Sequence, residues 1–377
     1  MKRLIFDEDH DMFRDASRRF MQAEIEPHVE RWREQGLCDK EAYLKSGEQG
    51  LLGRWVPEEY GGMGIEDFRF EQVVIEETVR HGDLGLFLTL HSRLVGPYIG
   101  HLGNEALKKR LLPQVVSGET ILGVAMTEPG AGSDLAGIKS RAVRDGDDWI
   151  LSGSKTYISN GINGGAFVVA ARTVPDKRHG IGLFVVEEGM EGFQRGRNLA
   201  KMGLKTQDTA ELFFENVRVP AENVLGDPEK GFYSLMHFLA EERLISACQE
   251  IAHTQVAFDL TMEFILERKA FGRAIADFQN TRFKLAEIKT KAMVTRAFID
   301  QCLAHHMEGK LDSNTAAAAK LHATDTLCEV LDECVQLHGG YGYMWEYPIA
   351  RAWADARMTR IAGGTSEIMK EIISRAL

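Results

Sequence analysis

The chain changes texture twice. Helical periodicity runs from Phe6 to about Gly118, short β-branched or aromatic runs take over from about Ile121 to Pro220, and helical periodicity returns from Gly231 to Leu377. That order limits the possible folds most. The middle strands are not separated by helices of about 10–15 residues, so they cannot build a Rossmann unit. In the first region the predicted helices are Asp9–Trp32, Phe68–Arg80 (apolar at Phe70, Val73 and Val74) and Leu107–Val116, with Pro57 and Gly61-Gly62-Met63-Gly64 marking a loop. In the middle, Trp149-Ile150-Leu151, Ala166–Ala171, Ile181–Val186 and Glu211–Val219 read as strands. Asp-Gly-Asp, Asn-Gly-Ile-Asn-Gly-Gly and Pro-Asp-Lys-Arg-His-Gly separate them as turns. The last region predicts long helices over Phe232–Arg268, Phe278–Glu308 and Thr315–Gly339, and a closing one over Thr365–Leu377. Residues 316–319 form a small alanine run. The fold class expected is a multidomain α+β protein: an N-terminal helical domain (1–120), a central β-barrel or β-sandwich domain (121–225) and a C-terminal four-helix bundle (226–377).

A chain of 377 residues has ample material for several cores. Its formal charge of −11 argues against general affinity for nucleic acid, although a local pocket can still take an anionic small ligand. Cys38, Cys248, Cys302, Cys328 and Cys334 are odd in number and contain no CxxC pair. A disulfide framework or metal site is therefore not expected, and a reducing compartment is. Apolar runs such as Gly165–Ala171 are too short to span a bilayer, and Met1–Asp11 turns acidic at once, unlike a leader. The expected setting is the cytoplasm.

Two segments carry chemistry. Met126-Thr127-Glu128-Pro129-Gly130-Ala131-Gly132-Ser133-Asp134 combines glycines, which let backbone approach a ligand, with hydroxyls; it matches neither GxGxxG nor a Walker loop. Alone it reads equally as a tight turn. Lys155-Thr156-Tyr157-Ile158-Ser159-Asn160-Gly161 could stack a ring on a flat cofactor while Ser159 donates a hydrogen bond, or could be a half-buried strand.

Together, and followed by Glu241-Glu242-Arg243-Leu244, Glu267-Arg268-Lys269-Ala270-Phe271-Gly272, Phe278-Gln279, Gln336-Leu337-His338-Gly339-Gly340 and Gly363-Gly364-Thr365-Ser366-Glu367-Ile368, these segments resemble the acyl-CoA dehydrogenase family. The resemblance spans essentially the whole chain. It implies bound FAD, with Met126, Thr127, Ser133, Tyr157, Ile158 and Ser159 around the flavin, and Tyr157 standing where relatives often carry tryptophan. It also implies that Arg268, Phe271, Gln279, Gln336, Gly339 and Gly340 hold FAD across a subunit boundary, in a homo-oligomer of two or four chains. Arg268 would take the pyrophosphate with its fork of donors. Thr365, Ser366 and Glu367 complete the implied cofactor set. Ser133, His179, Tyr233, Arg243, Gly363 and Gly364 match substrate positions, and Ala362 replaces a tyrosine found in many relatives. Within the family, His338-Gly339-Gly340-Tyr341-Gly342-Tyr343-Met344-Trp345-Glu346-Tyr347-Pro348 looks most like the long-chain group.

The implied reaction is α,β-dehydrogenation of a fatty or branched acyl-CoA to a trans-2-enoyl-CoA, with electrons passed to an electron-transfer flavoprotein. It needs a partly desolvated carboxylate base and a polarised thioester carbonyl. Many relatives carry that base just before the last Gly-Thr, where this chain has Gly363. A smaller group, including long-chain and isovaleryl enzymes, carries it on the long helix before an arginine, which is Glu242 here. Phe238, Leu239, Ile245 and Ser246 flank Glu242 at helical spacing. Glu241, one residue away and about 100° round the helix, is the competitor. Gly363 could still offer its N–H to the thioester oxygen. A flavin oxidase or monooxygenase on the same scaffold, and a non-enzymatic flavoprotein used in assembly, are the alternatives.

Overall fold

The computed structural model describes residues 3–377. The first helical region opens with α1 (Glu8–Phe20), capped by the Asp7 carboxylate, which accepts from the His10 backbone N–H. The helix predicted over Asp9–Trp32 does not run through. It loosens into a π-turn at Met21–Ile25 and a 3-10 turn at Glu26–His28, then resumes as α2 (Val29–Gln35). Pro27 lacks an N–H and interrupts the ladder there. A helix that periodicity did not reveal, α3 (Lys40–Glu48), buries only Ala42, Tyr43 and Ser46. The remaining helices are α4 (Phe68–His81), α5 (Gly96–Leu102) and α6 (Glu105–Ser117), the last closed by Gly118 at φ +80°.

The middle region adds β1 (Leu122–Ala125), β2 (Arg141–Asp145), β3 (Asp148–Ser159), β4 (Ala166–Arg172), β5 (Ile181–Glu187), β6 (Phe193–Arg195), β7 (Thr209–Val219) and β8 (Val224–Leu225). They form one eight-stranded sheet in the order β6-β7-β3-β2-β4-β5-β8, with β1 parallel to β4. Strands β4 and β5 are apolar on both faces, as a doubly covered strand must be. Val168, Ile181, Leu183 and Val185 face the helical layer of Tyr98, Ile99 and Leu111. Phe167, Val169, Phe184 and Val186 face a second core with Leu151, Ile158, Leu212 and Val217. The sheet therefore wraps around that second core, as a barrel or sandwich does.

The last region consists of α7 (Gly231–Glu267, 37 residues), a hairpin of β9 (Lys269–Ala270) and β10 (Arg273–Ala274), α8 (Gln279–Met307), α9 (Ser313–His338), α10 (Pro348–Ala356) and α11 (Ser366–Ser374). The buried alanines 316, 317, 319 and 323 let α9 lie close to its neighbours. One polar node joins the three regions. Arg33 of α2 pairs with Asp83 and lies 3.7 Å from Asp355 of α10, and Asp355 accepts from the backbone N–H of Leu204. Burial and the neighbouring Asp83 push Asp355 up to about 6.

Candidate active site

Three consecutive residues of α7 point three ways. Glu241 accepts from Arg93 and lies 3.1 Å from the His306 ring. Burial would raise its pKa, but the His306 hydrogen bond and the Arg93 charge hold it below the usual carboxylate range. Arg243 is buried and donates to Ser313 Oγ at 2.8 Å, at the start of α9. Glu242 makes no ion pair among the described residues. Its carboxyl faces the turn before α11, where Gly363 and Gly364 adopt φ of +62° and +93°. A Cβ added to Gly363 would lie 3.3 Å from Glu242 Oε1. The carboxyl on the long helix thus reaches the space where a side chain of residue 363 would begin.

Glu242 is half-buried, enclosed by protein but still reached by solvent. Burial raises its pKa, against the charges of Lys320 and Arg243. The Tyr98 phenol of α5, itself raised by burial, feels the Glu242 charge as well.

The Met126–Asp134 loop leaves the end of β1. Glu128 and Ala131 close it with paired backbone hydrogen bonds of 2.9 and 3.1 Å, so it is a tight turn as well as a candidate ligand loop. A Cβ on Gly130 or Gly132 would meet nothing within 4 Å, and Ser133 is exposed. Behind the turn, the fully buried Lys155 ammonium donates to Glu128 at 2.8 Å and to the Met126 carbonyl at 3.0 Å. Burial lowers Lys155 to about 8, opposed by Glu128. Lys155→Met would leave Glu128 buried without its cation. A loss of about 3 kcal/mol in stability is expected from the denaturant midpoint, and a shift within experimental error would show that the pair does not hold the turn.

Next to Lys155 the register of β3 against β7 shifts, and Tyr157 adopts φ +60°. This β-bulge turns the Tyr157 ring outward, 71% exposed, beside the half-buried Ser159. Ile158 is 3% exposed and its side chain packs in the second sheet core, which leaves its backbone for a ligand. His179 stacks on Phe232 at 4.3 Å, with Tyr233 edge-on at 6.0 Å.

A second group gathers at one end of the bundle. Arg268 caps α7 and lies 5.1 Å over the Tyr341 ring, Phe271 tips the β9–β10 hairpin, Gln279 begins α8, and Gln336, Gly339 and Gly340 end α9. All six are exposed. Among the described residues, no hydrogen bond, ion pair or aromatic contact joins this group to the Met126–Ser159 group. Thr365 caps α11 by accepting from the Ile368 N–H at 3.3 Å, Ser366 is buried with an unpartnered hydroxyl, and Glu367 is exposed.

Family models of the acyl-CoA dehydrogenase N-terminal, middle and C-terminal domains match residues 7–119, 123–217 and 229–377. The chain belongs to the acyl-CoA dehydrogenase family. A long-chain specific acyl-CoA dehydrogenase of Sus scrofa, named as mitochondrial, is 48% identical over 100% of this chain and 88% of its own length. A crystal structure of an acyl-CoA dehydrogenase from Geobacillus kaustophilus superposes with a TM-score of 0.97, at 44% identity, covering 100% of this chain and 99% of that one. A glutaryl-CoA dehydrogenase from Mycobacterium smegmatis, solved with FADH2, reaches a TM-score of 0.91 at 27% identity, covering 99% and 95%.

In this acyl-CoA dehydrogenase a cavity also lies apart from the candidate site. About 1150 Å³ in volume, it lies between Arg3–Ile5, α1, α4, α7 and α8, and no expected site residue lines it. Two site residues escaped the sequence reading. Lys320 is 2% exposed and donates to the carbonyls of Ala362 and Gly364. Its one sequence signal is a lysine directly after the alanine run of a buried helix face. Lys155 begins the Lys155–Gly161 motif, but nothing along the chain marks it as Glu128's partner. Among the described residues no helix is long and apolar enough to cross a membrane.

Proposed function

We propose that this acyl-CoA dehydrogenase converts a fatty or branched acyl-CoA to its trans-2-enoyl-CoA, with Glu242 as the base. The observation that carries the reading is the Glu242 carboxyl lying against the Gly363 turn, 3.3 Å from where a side chain there would start. The donor set suits FAD. An exposed ring, hydroxyls and open glycine backbone at 126–159 fit a flat conjugated system, while the exposed Arg268 beside Gly339-Gly340 fits a pyrophosphate. FAD, when bound, supplies the acceptor for the hydride that leaves the β carbon.

The work of the chain itself is positional and acid–base. Glu242 takes the α proton on a carboxylate oxygen, and partial burial keeps its proton affinity high enough to do so. The Gly363 N–H donates to the thioester oxygen, where negative charge develops as that proton leaves. Ser133, His179, Tyr233 and Gly364 line the approach of the acyl-CoA, and Arg243 holds the base's helix to α9. Electrons then leave to an electron-transfer flavoprotein. In this reading a second copy of the chain completes the FAD site, against the exposed Arg268 group at the end of the bundle. The five free cysteines suit a reducing compartment, the cytoplasm in this reading, whereas the pig relative is named as mitochondrial.

The test is anaerobic mixing of the FAD-loaded protein with a series of straight and branched acyl-CoAs. Rapid bleaching of the flavin absorbance with formation of enoyl-CoA is the expected result. Bleaching by no thioester would overturn the reading, and fast peroxide release on admitting air would replace it with an oxidase.

A further inference from the structure

Among the groups around Glu242, one has no task in the reaction just described. Lys320 reaches the site from α9, and its ammonium donates to the two carbonyls that flank residue 363. A Cβ on Gly363 would lie 3.6 Å from Lys320 Nζ and 3.3 Å from Glu242 Oε1, so ammonium and carboxylate face each other across that glycine. Two glycines at positive φ have little intrinsic stiffness, and without an external clamp this turn would sample many conformations.

We propose that Lys320 is a positioning residue for proton abstraction: one buried ammonium pins the 362–364 turn and holds a positive charge opposite the base. This rests on Glu242 being the base, as argued above.

The surroundings support the charge. The titratable and charged groups acting on Glu242 are Lys320 from α9, Arg243 from its own helix and the Tyr98 phenol from α5. Glu242, Glu250 and Arg243 act on Lys320. Burial lowers Lys320 to about 8, which leaves it mainly charged at neutral pH. Glu250, two turns further along α7, is fully buried, and burial pushes it up to about 8; its Oε2 has no hydrogen-bond partner. Held protonated near neutrality, Glu250 does not neutralise Lys320. The ammonium therefore acts on Glu242, opposing the rise that burial imposes on its carboxyl. Removing that charge raises the Glu242 pKa, so the acidic limb of the rate profile moves to higher pH.

The experiment measures the limiting rate of flavin bleaching against pH for the parent, Lys320→Met, Lys320→Gln and Lys320→Arg. Lys320→Gln keeps two N–H donors for the carbonyls and so preserves the fold should Lys320→Met not. In both uncharged variants the acidic limb is expected to rise by about one pH unit or more. In Lys320→Arg it is expected to stay near the parental position. A second readout is independent of turnover: the protonated carboxyl band that Glu242→Gln removes from the infrared difference spectrum should titrate higher in Lys320→Gln by the same amount. An unmoved limb and band in Lys320→Gln, however slow that variant is, would overturn the proposal, as would an equal shift in Lys320→Arg. Glu242→Gln bleaching at the parental rate would instead remove the base assignment itself, a different and recognisable failure.

Discussion

Glu242→Gln is expected to slow bleaching of the flavin by acyl-CoA by about 10³-fold or more, while FAD content and melting temperature stay close to parental. The amide keeps the shape of the side chain but cannot take a proton. It also removes a carboxylate whose charged form burial already disfavours, so the fold has little to lose. Glu241→Gln should behave in the opposite way. Glu241 is bound by Arg93 and His306, and Arg93 also lies over the Phe68 ring, so losing the carboxylate leaves a half-buried guanidinium without its main partner. A stability loss of roughly 1–3 kcal/mol is expected, with bleaching within about tenfold of the parent. Stopped-flow absorbance and a thermal melt on the two variants separate the roles. Parental bleaching in Glu242→Gln together with none in Glu241→Gln would sink the assignment.

That choice between neighbours marks the limit of what the sequence could tell. Glu242-Arg243-Leu244 combined with a glycine at 363 was enough to move the expected base onto the long helix. It favoured 242 over 241 only through the arginine that follows, because both lie on one stretch of helix and the partners of Glu241, Arg93 and His306, come from distant segments. Lys320 was hidden for a related reason: a lysine on a long helix usually lies in solvent, and only the close packing allowed by the neighbouring alanines buries it. Local pattern also missed β2. Only Ala142 of it is buried, among the charged Arg141, Arg144 and Asp145, and pairing with β3 rather than apolar content makes it a strand. Strands β4 and β5 were legible because burial on both faces demands continuous apolar runs. Tyr157 could be picked as a ring, but the bulge that turns it outward depends on the register of β3 against β7.

Phe271→Asp is expected to split the oligomer and release FAD without unfolding the chain. Phe271 and Gly272 form the tip of the β9–β10 hairpin with φ of +51° and +80°, the pairing that a two-residue turn of matching twist requires. A phenylalanine at positive φ is strained, and this one is 97% exposed, with Phe278 edge-on at 6.3 Å. Neither local packing nor turn preference explains an aromatic ring there. In the proposed reading the ring is buried against FAD and a second chain: a ring of that size contributes about 2 kcal/mol on leaving water, and an aspartate in its place would bring a charge up to the cofactor's phosphates. Retention of FAD should weaken by about 10²-fold or more, with a smaller species on size-exclusion chromatography. Far-ultraviolet circular dichroism should be unchanged, because the ring supports no core. If Phe271→Asp elutes as the parent does and keeps stoichiometric FAD, the exposed end of the bundle is not where the cofactor meets a second subunit.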